Sequence, residues 1–112
     1  MTWRIILVDE VAQWVETLTP QDLKVVQRMF DMLSLEGNRL RMPHSKPLGH
    51  GLFELRFDIK RGTVAQRVTY FFDTARMVIC VTPFNKSRRT EPGEIARARH
   101  AMADYQQQNE ER

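Results

Sequence analysis

The stretch that decides the fold is 52-LFELRFDIKRGTVAQRVTYFFDTARMVICVT-82. In its opening segment Phe53, Leu55, Phe57 and Ile59 alternate with Glu54, Arg56 and Asp58, the period of two that sends successive side chains to opposite faces of a sheet. Lys60-Arg61-Gly62-Thr63 predicts a turn, after which Val68, Tyr70 and Phe72 oppose Arg67, Thr69 and Phe71 in a second strand. Asp73-Thr74-Ala75 predicts another tight turn, and the continuous apolar run from Met77 to Thr82 reads as a central strand buried on both faces. Strands joined by turns this short pair antiparallel.

Upstream, 3–8 (WRIILV) is β-branched and apolar and predicts a strand. Asp9 or Glu10 then opens a helix with Val11, Trp14, Val15 and Leu18 on one face. A second helix has Thr19 as N-cap, Pro20 at its first position and Asp22 in its first turn. It buries Leu23, Val26, Phe30 and Leu33 and stops at Gly37-Asn38, which suit a left-handed cap. Trp14, Met29, Phe30 and Met32 read as core. Residues 39–51 (RLRMPHSKPLGHG), with two prolines and two glycines, predict a loop. Downstream, Glu91 to about Gln107 is helical, with Ile95, Ala98, Met102 and Tyr105 on one face, and 106–112 is a polar tail expected to fray. The expectation is a single α+β domain over 1–112: an antiparallel sheet, a helical hairpin packed on one face, and a C-terminal helix. Glu54, Arg56, Arg67 and Thr69 are then expected on an exposed opposite face.

A chain of 112 residues, 42% hydrophobic, fills one core and excludes a multi-domain enzyme. No apolar run approaches the roughly 20 residues that span a bilayer, so no membrane association and a cytoplasmic location are expected. The lone Cys80 excludes an internal disulfide and a Cys-rich zinc site, and inside an apolar strand it reads as a small hydrophobe. His44, His50 and His100 form no helical ligand pair, and Ser34, Ser45 and Ser87 lie in no nucleophile-elbow context. Neither metal nor cofactor is expected.

Charge is uneven. Residues 1–38 hold three bases and six acids, net −3, whereas 39–99 hold thirteen bases and five acids, net +8. A basic zone suits either a solvated face or a phosphate backbone. RNA cuts itself once its 2′-OH is aligned with the neighbouring phosphate and the developing charge is stabilised, which requires guanidinium or ammonium groups and a proton acceptor and donor. Arg56 and Arg67 on adjacent strands, with Lys86 beyond the last strand, form a candidate clamp. His44, His50 or Glu54 are candidate proton carriers. Arg39, Arg41, His44, Lys46, Lys60, Arg61, Arg88 and Arg89 are candidate RNA contacts. The competing reading of Arg56 and Arg67 is cross-strand pairing with Glu54 or Asp58.

The motifs SKPLGHGLFELRF, RVTYFFD and PFNKSRRTEPGEIARA, in that order, resemble the RelE/HigB superfamily of toxins, in particular its phage-derived HigB-like branch. The resemblance covers about 3–105. It implies a RelE/ParE-like fold and a ribosome-dependent mRNA endonuclease neutralised by a helix-turn-helix antitoxin, and it points to Arg56, Arg67 and Lys86 as functional bases. Lys86-Ser87 stands where such toxins carry paired lysines, and Gly93-Glu94 occupies the neighbourhood of a tyrosine found in some of them. ParE-like toxins of the same fold poison a topoisomerase instead, so a protein-directed toxin or a non-catalytic nucleic-acid-binding module stands beside the nuclease reading.

Overall fold

In the computed structural model, which describes residues 2–87 and 91–110, the chain runs β1 (Arg4–Leu7), α1 (Asp9–Glu16), α2 (Pro20–Glu36), a 3-10 turn (Gly37–Arg39), β2 (Ser45–Gly49), β3 (Leu52–Ile59), β4 (Val64–Asp73), β5 (Met77–Asn85) and α3 (Glu91–Glu110). One five-stranded sheet has the order β1-β5-β4-β3-β2. The expected antiparallel β3-β4-β5 meander forms, and β1 adds in parallel to β5.

The segment 39–51 is not all loop. Ser45–Gly49 pairs antiparallel with β3 as an edge strand, with a register shift between Pro47 and Gly49. Proline is tolerated there because an edge strand has one side without a ladder to donate to. The second helix starts as its sequence predicts: Thr19 Oγ1 accepts from the Asp22 N–H at 3.2 Å. Asp22 Oδ1 in turn accepts from the Lys60 N–H at 3.0 Å. That bond ties the helix start to a β3–β4 turn in which Lys60, Arg61 and Gly62 all have positive φ. At the other end of α2, Gly37 has φ 52°, and a Cβ on it would lie 2.0 Å from Trp3 Nε1. Only glycine admits the indole. Arg76 covers the same ring with its guanidinium carbon 4.5 Å from the centroid.

Under the helical hairpin, Val11, Met29 and Leu33 pack on Leu55, Val68, Tyr70, Val78 and Cys80. Met29 takes the deep position while Leu23 and Phe30 stay half-buried. The opposite face differs from expectation: α3 lies on it, with Ala98 fully buried over Leu52, Phe71, Ile79 and Val81, and Tyr105 edge-on to Phe71 at 5.7 Å. The sheet is therefore covered on both sides, and α3 runs through Glu110, beyond the Gln107 expected from the sequence. Two arginines fasten it. Arg97 donates to Glu10, Glu94 and the Pro83 carbonyl. Arg99 donates to the carbonyls of Leu48 at 2.6 Å and Gly49 at 3.1 Å.

Candidate functional site

The antiparallel register sorts the face beneath α3 into rows. Leu52, Phe71 and Ile79 form an apolar row, Lys46, Glu54, Thr69 and Thr82 the next, and Arg56, Arg67 and Phe84 the third. The Lys86 N–H donates to the Ala65 carbonyl at 2.8 Å, which continues the ladder and puts Lys86 in a fourth row with Asp58. A face expected to be exposed is instead largely shut: Glu54 and Thr69 are fully buried and Arg67 is 6% exposed. Thr69 and Thr82 satisfy each other through their hydroxyls.

The charged row is less settled. Arg56 and Arg67 sit directly opposite each other across the ladder, a like-charge pairing that costs stability. Glu54 offsets it, with Oε2 3.6 Å from Arg67 Nε and 3.7 Å from Arg56 Nε. These are ion-pair distances and too long for hydrogen bonds. Among the described residues, both Glu54 oxygens and Arg67 Nε are buried without a hydrogen-bond partner, and leaving such a group unsatisfied typically costs about 1–3 kcal/mol. Burial, then the charge of Arg56, lowers the Arg67 pKa, against the pull of Glu54, Asp58 and Glu91. Its remaining anchor is a bond from Nη1 to the Gln66 carbonyl at 3.0 Å. Arg56 is half-buried, and its Nη1 reaches the Met42 sulfur at 3.0 Å. The two guanidiniums share the buried Glu54 carboxylate, with Asp58 and Glu91 adding negative charge nearby, and guanidinium N–H groups not taken up by these contacts are donors that an anion can use.

Beside them an open cavity of about 350 Å³ is lined by Met29, Met42, Pro43, His44, Arg56, Phe57, Asp58 and Arg67. His44 thus joins the two arginines. His50 does not: it sits exposed with φ 53° in the β2–β3 turn, and the four strand steps from Leu52 to Arg56 at ~3.4 Å each put that turn roughly 14 Å away from Arg56. Lys46 and Lys86 are exposed at the ends of their rows. Arg41 donates to the carbonyls of Asn38 and Leu40 and so closes the 3-10 turn that holds Arg39. Lys60 and Arg61 line a separate cavity of about 490 Å³ at the start of α2. Arg88 and Arg89 lie outside the described residues. Reading along the chain overlooked Met42 and Phe57 as site residues and gave Asp58 only a pairing role; the alternation of β3 was the available signal, because it sets Asp58 on the face of Glu54 and Arg56.

On the hairpin side, burial pushes the Cys80 thiol up to about 12, so it is a neutral core group at ordinary pH. Tyr70, hydrogen-bonded to Ser45, is likewise pushed up to about 12 by burial. Among the described residues no three His, Cys, Asp or Glu side chains gather where they could hold a metal ion, and no helix is long and apolar enough to cross a membrane.

Comparison with known proteins agrees with this architecture. The family described as Phage derived protein Gp49-like (DUF891) matches residues 13–103. Among solved structures, the RelBE2 toxin–antitoxin complex of Mycobacterium tuberculosis has a chain that superposes with TM-score 0.57 at 20% identity, covering 77% of this chain and all of that one. A mutant of the E. coli toxin RelE in the free state superposes with TM-score 0.59 at 11% identity, covering 81% of this chain and 90% of that one. The fold is therefore RelE-like, as the motifs implied. No curated protein matches the chain.

Proposed function

The chain belongs to the phage-derived Gp49-like family, and from that premise we propose that it is the toxin of a type II toxin–antitoxin system. In this reading it is a metal-independent endoribonuclease that cuts mRNA on the ribosome in the cytoplasm, inhibits translation and is neutralised by a helix-turn-helix antitoxin. The observation that carries the reading is the Arg56–Arg67 pair, opposed across the ladder, incompletely neutralised by Glu54 and open to a cavity that His44 shares. The RelE-like fold, seen in structures described as toxins, supports it.

The guanidiniums hold the non-bridging oxygens of the scissile phosphate. His44 takes the proton from the 2′-OH as that oxygen attacks phosphorus. The bond to the 5′-oxygen breaks, leaving a 2′,3′-cyclic phosphate and a 5′-hydroxyl, and Lys86 is the exposed donor for the departing oxygen. The charge gathering on the pentavalent phosphorus strengthens both arginine contacts, the condition for a rate effect. Glu54, fully buried, acts as a positioning residue that keeps two like charges side by side.

Primer extension on mRNA with and without ribosomes tests this, with cuts expected only when ribosomes are present and with cyclic-phosphate ends. A second reading, a topoisomerase-directed toxin, draws on the ion-pair contacts of both arginines with Glu54, which a purely structural role also explains. Pulse labelling after induction separates the two. Methionine incorporation falls first for the nuclease, and thymidine incorporation falls first for the alternative.

A further inference from the structure

We propose that the cavity beside the arginine pair is a nucleobase subsite that selects guanine next to the phosphate held by Arg56 and Arg67, with Asp58 as its specificity-determining residue. This rests on the RNA-directed reading above and extends it to what is read. The cavity wall is continuous with the clamp, since Arg56 and Arg67 line both. A phosphate seated on the guanidiniums therefore brings its own nucleoside to the opening. The remaining wall is largely apolar: Met42, Pro43 and Phe57, with buried Met29 from α2 behind them. Flat apolar and aromatic surfaces take a base by its face whatever its identity.

Identity requires an edge contact, and Asp58 is placed to make one. It is exposed, it lines the cavity, and among the described residues it forms no ion pair. A carboxylate in a phosphate site repels the backbone, so its productive partner is an N–H donor. Ionised, it accepts at two oxygens. Guanine alone among the four bases presents two adjacent donors, N1–H and the N2 amine, on its Watson–Crick edge; adenine and cytosine present one amine, and uracil a single N–H between two carbonyls. The backbone contributes as well. The Arg56 N–H donates to the His44 carbonyl at 2.8 Å as the last β2–β3 bond. Two residues on, alternation turns the Asp58 peptide groups toward the same edge, past the end of β2, where a strand rim offers donors and acceptors.

The test uses four pentaribonucleotides, UUXUU with X as G, A, C or U, 2′-O-methylated so that they bind without being cut, titrated into the full chain by fluorescence anisotropy. The expected order is G above A and C above U, with G about tenfold tighter than U, in the range of a bidentate base contact. Asp58→Asn and Asp58→Ala should both bring that ratio close to one. Arg67→Ala should leave the order of the four and the G-to-U ratio unchanged, and circular dichroism must show each variant folded. No binding, no preference for G, or a preference that survives in both Asp58 variants overturns the proposal. Parallel cleavage of unmodified mRNA keeps the two readings apart. An Asp58-dependent preference without cleavage sinks the endoribonuclease and leaves the subsite, whereas cleavage with no base preference does the reverse.

Discussion

The two faces of β4 bury polar groups in opposite ways. Toward the helical hairpin, Tyr70 and its neighbour Cys80 on β5 are neutral, and Tyr70 shares its hydroxyl with Ser45. Toward α3, Arg67 is charged, faces a second arginine, and has an Nε with no hydrogen-bond partner. The hairpin face also leaves Gln66 Oε1 buried without a partner among the described residues, but on that face β4 buries no charge. Arg67 and Glu54 could be replaced by apolar residues of similar size with little loss, since buried ion pairs are often no better than well-packed hydrophobes. The difference teaches where to look for function: in the layer whose charges are buried yet left short of partners. Arg97 makes the contrast sharper. Burial opposes its charge, but bonds to Glu10 and Glu94 more than compensate and its pKa is raised, whereas that of Arg67 is lowered.

Arg67→Ala is the strongest attack on this contrast. Loss of one transition-state donor commonly costs about 3 kcal/mol, roughly a hundredfold in rate, while RNA affinity changes little and the protein stays folded. Arg67→Lys should also fall short, because an ammonium cannot make the planar two-point contact. A folded Arg67→Ala protein that cleaves at near-normal rate would return Arg67 to a structural role.

Salt comes next. If about three to five phosphates are contacted, log K against log salt should slope between about −2 and −3.5, a loss of roughly 16- to 130-fold between 50 and 200 mM. A flat titration would mean that the positive rows touch no backbone.

The neutral face gives an alkaline signature. Cys80 and Tyr70 titrate near 9.0 and 10.0 when unfolded and near 12 when folded. The folded state thus keeps protons that the unfolded chain releases, and stability is fully present below about pH 9 and declines above it. Each group in its window contributes a slope of about 1.4 kcal/mol per pH unit. Urea melts at pH 8, 9 and 10 check this, and a midpoint that rises with pH contradicts it.

The smallest effect is expected at Arg97. It is partly exposed, so Arg97→Ala should cost about 1 kcal/mol, a drop of roughly 5 °C in Tm, without altering the chemistry. If cleavage collapses in that variant instead, the division into structural and functional arginines is wrong.

Much of this was legible before any coordinates. The alternation in 52–59 and 66–72 specified the central hairpin, and Thr19-Pro20 marked the start of α2. Two features were hidden for physical reasons. Pro47 disguised β2, because proline argues against a strand except at an edge, and edge position is decided by the rest of the sheet. The closure of the second face by α3 was hidden because Ile95, Ala98, Met102 and Tyr105 show an apolar stripe but not the layer it meets. Arg56 and Arg67 could be named as candidates from the alternation, but not how deeply they are buried, which depends on how the elements pack around the sheet. The choice between His44 and His50 also depended on pairing. Equally plausible in a loop, they lie at opposite ends of β2.

The parallel pairing of β1 with β5 bears on how the molecule comes into being. Arg4 meets Met77 and Leu7 meets Cys80, so β1 finds its strand partner far along the chain. The β3–β4 hairpin, by contrast, closes over a short turn. Contacts so distant in sequence pay their loop-closure entropy before any reward and form slowly. The hairpin that opposes the two arginines is thus a contact between sequence neighbours, whereas the β1 edge of the same sheet is closed by a contact between distant ones.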